Sequence, residues 1–169
     1  MRNSSCSCNR DNCPECNPWE HFGPINPNVP CACSSSFKIR QRADINIVGQ
    51  GTKAGFISIL GTICPECNNE ISNFHIGFND LDLSEGNHSF RLSPVSIEPF
   101  QCSQSGNMLT QIINYSGIYK TAEGNSRLVI GQLTINQNSV SFSIRTSDFD
   151  LIAEGTVVSP ASVTITQCS

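Results

Sequence analysis

Phe37-Lys38-Ile39-Arg40-Gln41-Arg42-Ala43-Asp44-Ile45-Asn46-Ile47 is the stretch on which the fold turns. Phe37, Ile39, Ala43, Ile45 and Ile47 alternate with Lys38, Arg40, Arg42, Asp44 and Asn46, and a period of two predicts a half-buried β-strand. Upstream the character differs. Prolines at 14, 18, 24, 27 and 30 interrupt any helix or central strand, and no apolar periodicity is present. The sequence therefore predicts an irregular, cysteine- and proline-rich N-terminal arm over residues 1–36 and a single β domain over residues 37–169.

Downstream of Phe37 the chain resembles itself. Ile45-Asn46-x-x-Gly49 recurs as Ile113-Asn114-x-x-Gly117, and Phe74-x-Ile76-x-x-x-Asp80-Leu81-Asp82-Leu83 as Phe142-x-Ile144-x-x-x-Asp148-Phe149-Asp150-Leu151. Each copy continues through Glu-Gly and Ser-Pro-x-Ser to Gln-Cys-Ser, at Gln101-Cys102-Ser103 and Gln167-Cys168-Ser169. Such self-similarity predicts two tandem repeats, over residues 45–103 and 113–169. Within them, residues 55–63 match 127–135, 71–78 match 140–144, 88–92 match 156–158, and 95–100 match 161–166. These runs are short, rich in Ile, Val, Phe, Thr and Ser, and bounded by Asn, Gly, Asp and Pro. No window carries a helical stripe. Eight to ten antiparallel strands follow, folded as a jelly-roll-like sandwich or a closed barrel in which the two copies bury their apolar faces against each other. Each Ser-Pro pair is expected at a strand end, where proline's missing donor breaks no ladder bond.

Only 14% of residues are charged and the net charge is −4, which removes the basic footprint of a nucleic-acid binder. The N-terminal residues lack the apolar core of a signal peptide and no run is long enough to span a bilayer, so the expectation is a soluble chain made in the cytoplasm. Ten cysteines sit awkwardly with that compartment. Cys6, Cys8, Cys13, Cys16, Cys31 and Cys33 lie in the arm, and with the repeat-equivalent Cys102 and Cys168 they are candidates for disulfides between chains. Cysteines on an arm stabilise their own domain little and are well placed to bridge to a neighbour. Cys64 and Cys67 are candidates for a local disulfide or a metal. Cys-Pro-Glu-Cys occurs at both 13–16 and 64–67, and two such pairs are what a zinc ribbon uses, so Cys13, Cys16, Cys64 and Cys67 form the alternative metal set. A redox reading of either pair needs a following helix to lower a thiol pKa, and none is predicted.

Other motifs carry less. Residues 49–55 have the glycines of a phosphate loop but lead into a strand, which makes them a β-turn. Asp80, Asp82 and Glu85, matched by Asp148, Asp150 and Glu154, are either the wet face of a strand or carboxylate pairs for calcium. His21, His75 and His88 form no sequence motif of hydrolases or metalloenzymes, so no catalytic residues, no enzymatic activity and no cofactor are expected. Trp19, His21 and Phe22, between prolines, are either a docking element on the arm or loose linker aromatics.

The Cys6-Ser7-Cys8 and Cys13-Pro14-Glu15-Cys16 arm ahead of a neutral β domain resembles the cysteine-rich structural proteins of the bacterial spore surface: coat, exosporium and disulfide-linked endospore appendages. The appendage subunits carry adjacent Cys-Cys in the arm, and this chain has none. The resemblance implies a self-assembling subunit of a surface layer or fibre. Its partners would be further copies of itself and other surface-layer proteins, with neither nucleic acid nor membrane. Such a protein reaches a spore or cell surface without a signal peptide and is oxidised after release. The alternative is a zinc-binding or ligand-binding β module.

Overall fold

A computed structural model describes residues 31–68 and 71–169. Its nine strands are β1 (Cys33–Ile47), β2 (Gly51–Ile63), β3 (Asn73–Asp80), β4 (Phe90–Ser105), β5 (Met108–Thr121), β6 (Ser126–Asn136), β7 (Ser139–Arg145), β8 (Leu151–Val158) and β9 (Val163–Gln167). From β1 to β8 each pairs antiparallel with the next. The ring closes on β1, which pairs with β8 at Asn46–Ile47 and with β9 along Cys33–Phe37. β8 and β9 run in the same direction, interrupted by a 3-10 turn at Pro160–Ser162, and together fill one position. The architecture is a closed eight-strand antiparallel barrel, one of the two forms expected, and not a two-sheet sandwich.

The period of two that announces β1 is what makes the barrel. Phe37, Ile39, Ile57, Phe74, Ile113 and Phe142 all face inward and are buried, each contributing about 1.5–3 kcal/mol relative to an exposed side chain. An eight-strand barrel is just wide enough for side chains to fill it. Here the Phe74 and Tyr115 rings meet edge to face at 5.1 Å, and Phe90 lies between Phe78 and Tyr119 at 5.7 and 5.1 Å. Tyr115 passes over Gly131 of β6 and donates its hydroxyl to the Ser143 carbonyl of β7 at 2.8 Å.

That burial gives an alkaline signature. Desolvation raises the Tyr115 phenol well above the ordinary tyrosine range, and Tyr119 shifts the same way. Above pH of about 10 the unfolded chain ionises this phenol while the folded chain does not, so the unfolded state binds fewer protons. Stability should then fall with rising pH by about 1.4 kcal/mol per unit for Tyr115, with no effect below that window. Tyr115→Phe is expected to cost about 1 kcal/mol at pH 7, for the lost hydrogen bond. It should flatten the decline between pH 10 and 11, as urea midpoints would read; an unchanged slope would refute the assignment.

Four sequence expectations need adjusting. β1 begins at Cys33, not Phe37, because Cys33-Ser34-Ser35-Ser36 already pairs with β9, and Ser35 and Ser36 with β2 as well. Residues 88–92 and 95–100 are not two strands. They fall largely within β4, and Pro94 lies mid-strand beside a register shift between Pro94 and Ser96, a bulge that tolerates its missing N–H. Only the second Ser-Pro interrupts a strand, between β8 and β9. The turn expected over residues 49–55 lies at residues 47–50 instead, Gln50 donating to the Ile47 carbonyl at 2.9 Å with Gly49 at φ 82°, and residues 51–55 already belong to β2.

The matched halves share register only in part. Ile59 pairs with Ile76 as their matches Gly131 and Ile144 do, and Gly61 pairs with Phe74 as Leu133 does with Phe142. Ile45 and Ile113, also matched, instead face Lys53 and Leu133, which are not. The likeness is held by the β2–β3 and β6–β7 hairpins rather than by two whole equivalent units.

Candidate cross-linking end of the barrel

Antiparallel order brings the start of β1, the end of β2, the end of β4 and the end of β9 to one end of the barrel, and every cysteine among the described residues is there. Three disulfides link them: Cys31–Cys64, Cys33–Cys102 and Cys67–Cys168, with Cα atoms 5.9, 5.8 and 5.7 Å apart. Cys31, Cys33 and Cys64 are buried, Cys102 and Cys168 half-buried, and Cys67 exposed.

Each bridge is built on local structure. Cys33 lies in the β1–β9 ladder, and its carbonyl accepts the Gln111 amide at 2.8 Å while Gln111 accepts the Ser35 hydroxyl at 2.6 Å. Gln111 and Ser35 are both buried, so this pair satisfies polar groups that would be costly alone. Cys168 is anchored just past β9 by its N–H to the Ala32 carbonyl at 2.9 Å. Cys64-Pro65-Glu66-Cys67 is a tight turn in which the Cys67 N–H reaches the Cys64 carbonyl at 2.8 Å and the Ser72 hydroxyl accepts the Cys64 N–H at 2.8 Å. Three of its residues take left-handed backbone, Cys64 at φ 52°, Glu66 at 54° and Cys67 at 62°, a region that disfavours L side chains other than Asn and Asp.

These positions bear on each cysteine singled out in the sequence. Cys31 and Cys33, expected on the arm as links between chains, belong to the barrel and are bridged within it, since β1 starts four residues earlier than the apolar alternation reveals. Cys102 and Cys168, expected as matched receptors for a neighbour's arm, are taken by Cys33 and Cys67 of their own chain. Cys64 and Cys67 are bridged, though not to each other. The alternative zinc set is therefore not assembled, because Cys64 and Cys67 belong to different disulfides. Cys6, Cys8, Cys13 and Cys16 lie outside the described residues, as do Trp19, His21 and Phe22.

At the other end, Lys53 points into the mouth and pairs with Glu85 at 2.5 Å, an interaction that raises the lysine pKa. Asp80 ends β3 and accepts the Asp82 and His88 amides, each at 3.1 Å, while Asp82 accepts the Ser84 hydroxyl and amide, which lower its pKa. Asp80, Asp82 and Glu85 thus shape a loop, and Glu154 instead accepts Asn46 on the outer wall at 3.3 Å. Among the described residues no group of three or more His, Cys, Asp or Glu is placed to hold a metal, and no helix is long and apolar enough to cross a membrane.

Fold and site together define a disulfide-stapled, closed eight-strand β-barrel. No protein-family model, curated protein or solved structure matches the chain.

Proposed function

We propose that this chain is a non-enzymatic structural subunit that assembles with copies of itself, and with other surface-layer proteins, into a layer or fibre at a spore or cell surface. Disulfides formed by the N-terminal arm hold it there. The observation that carries this reading is the cysteine count. Three intrachain bridges use six of the ten cysteines, which leaves Cys6, Cys8, Cys13 and Cys16 with no unpaired cysteine in their own barrel. These four bridge among themselves or to another chain, so cross-links join arm to arm, or reach a barrel only by displacing one of its bridges. Two further features support a structural role: the barrel axis is filled with side chains, and a surface of low charge repels its copies weakly.

Closure also limits how barrels stack edge to edge. On the side of β1 facing β8 and β9, the ladder covers Cys33–Phe37 and Asn46–Ile47, and residues 38–45 between them carry no strand partner among the described residues. The Gln41 side chain bridges this seam to the Val158 carbonyl at 3.2 Å. A second open run lies on the β3 side of β4, where the ladder covers only Phe90–Leu92, so backbone for strand addition to a neighbour is offered at both places.

Under oxidising conditions the chain is expected to run on a non-reducing gel as a ladder of multimers that reductant collapses, with fibres or sheets in electron micrographs of the same sample. Serine at Cys6, Cys8, Cys13 and Cys16 together should abolish the ladder and leave the thermal midpoint within about 2 °C, because bridges outside the barrel add little to its stability. A clean oxidised monomer, or a ladder that survives the four substitutions, would refute this function.

A further inference from the structure

The geometry points to the Cys67–Cys168 disulfide as a reactive site: the bridge an incoming thiolate opens first, with Cys67 as the sulfur that takes the new bond.

Two independent observations carry this. The first is access. A thiolate attacks a disulfide along the S–S axis, so it needs an open approach to one sulfur. Cys31, Cys33 and Cys64 are buried at 6%, 0% and 0% exposure, which shields at least one side of both other bridges, whereas Cys67 is exposed and Cys168 half-buried. The second is the backbone. Cys64, Glu66 and Cys67 all sit at left-handed φ, at about 1–2 kcal/mol each for such residues. Cys67 is held there from one side by the short turn to Cys64, itself fixed by Cys31 and the Ser72 hydroxyl, and from the other by Cys168. Opening the outer bridge frees the Glu66–Cys67 half of the turn to relax while the buried bridges keep the barrel shut.

The step balances without an oxidant. A thiolate forms a bond to Cys67 Sγ as the Cys67–Cys168 bond breaks; Cys168 leaves as a thiolate and takes a proton from water. One disulfide is exchanged for another with no net transfer of electrons. The incoming thiolate has two sources, a small thiol or a cysteine of a second copy. The second source would give the proposed assembly covalent links without external oxidant, but the site itself does not depend on that assembly. Glu66 beside Cys67 repels an anionic attacker, so a cationic thiol should react faster than glutathione.

The test uses the oxidised full chain titrated with cysteamine, quenched by alkylation and mapped by mass spectrometry. The expected result is that, among the six barrel cysteines, the only cysteamine adduct is at Cys67 with Cys168 alkylated, at a concentration at least tenfold below that which opens either other barrel bridge. First opening at Cys31–Cys64 or Cys33–Cys102, an adduct on Cys168, or no opening short of unfolding would overturn the proposal. Repeating the titration on the variant with serine at Cys6, Cys8, Cys13 and Cys16 isolates the small-thiol source. Peptides joining Cys67 to an arm cysteine in the unsubstituted chain, without added thiol, identify the second copy. A multimer ladder with no Cys67 adduct would sink the exchange site alone; the adduct in a chain that stays monomeric would sink the assembly alone.

Discussion

Gly131→Ala is expected to destabilise the barrel by about 3 kcal/mol or more, among the largest effects of any single methyl group added to this chain. A Cβ at Gly131 would lie 2.1 Å from the Ser143 carbonyl oxygen and 2.3 Å from the Tyr115 hydroxyl. Those two atoms are the acceptor and donor of one part-buried hydrogen bond, so the methyl group enters the bond itself. Overpacking a rigid interior costs about 1–3 kcal/mol, and parting a buried donor from its acceptor about 1–3 more. The carbonyl cannot swing aside, because it belongs to β7, which is laddered to both β6 and β8. Gly77→Ala is the control. It lies in β3 with nothing within 4 Å of the added carbon, and should be neutral or stabilising by up to about 1 kcal/mol. Urea midpoints of the two variants would decide, and equal midpoints would refute the packing account.

The same glycine shows where reading the sequence stops. Alternation of apolar and polar residues is a local signal that disclosed β1, and matched runs rich in Ile, Val, Phe, Thr and Ser disclosed β2, β3, β6 and β7, with small errors at their ends. Gly131 sits at an inward position of that alternation, but its requirement for a bare backbone comes from Tyr115 on one strand and Ser143 on another, which no local pattern contains. The early start of β1 was hidden for a related reason. Ser35 faces the interior and is polar, so it breaks the apolar pattern, and only its hydrogen bond to Gln111, 76 residues away, makes its burial tolerable. Closure by a broken strand was half legible: the Ser159-Pro160 signal marks the interruption between β8 and β9, while the similar Ser93-Pro94 is absorbed as a bulge. At Pro94 the β5 ladder continues on both sides of the bulge, whereas at Pro160 the strand gives way to a 3-10 turn.

For the cysteines the gap between sequence and structure is wider. Their residue types and the dense Cys-x-Cys and Cys-x-x-Cys spacing point to disulfide chemistry, but spacing along the chain ranks Cys64 with Cys67, and Cys102 with Cys168, as equivalents. The barrel ranks them by position around one rim, where Cys64 meets Cys31, Cys33 meets Cys102 and Cys67 meets Cys168. That pairing turns six candidate cross-linkers into staples and concentrates the proposed intermolecular chemistry on the four that precede the barrel and on the one bridge whose Cys67 end is exposed.

Removing the Cys33–Cys102 and the Cys67–Cys168 staple separately should produce an order opposite to the one loop length alone would give. The bridges Cys31–Cys64, Cys33–Cys102 and Cys67–Cys168 span 33, 69 and 101 residues. Closing such loops in the unfolded chain is worth about 3.7, 4.4 and 4.7 kcal/mol by chain entropy, which makes the outermost bridge the most stabilising. The folded state alters this ranking. Cys67–Cys168 holds Glu66 and Cys67 at left-handed φ, and relaxing these two residues on its loss returns about 2–3 kcal/mol. Cys33–Cys102 has no such strain to return, since Cys33 lies in regular strand, and its loss loosens a rim where Gln111 and Ser35 are buried against the Cys33 carbonyl. The double substitution Cys33→Ala, Cys102→Ala is therefore expected to cost about 4 kcal/mol, and Cys67→Ser, Cys168→Ser about 2 kcal/mol. Urea denaturation of the oxidised chain carrying serine at Cys6, Cys8, Cys13 and Cys16 would measure both on a monomer. A larger loss for the outer pair than for the inner one would mean that the turn at residues 64–67 stores no strain for its bridge to hold.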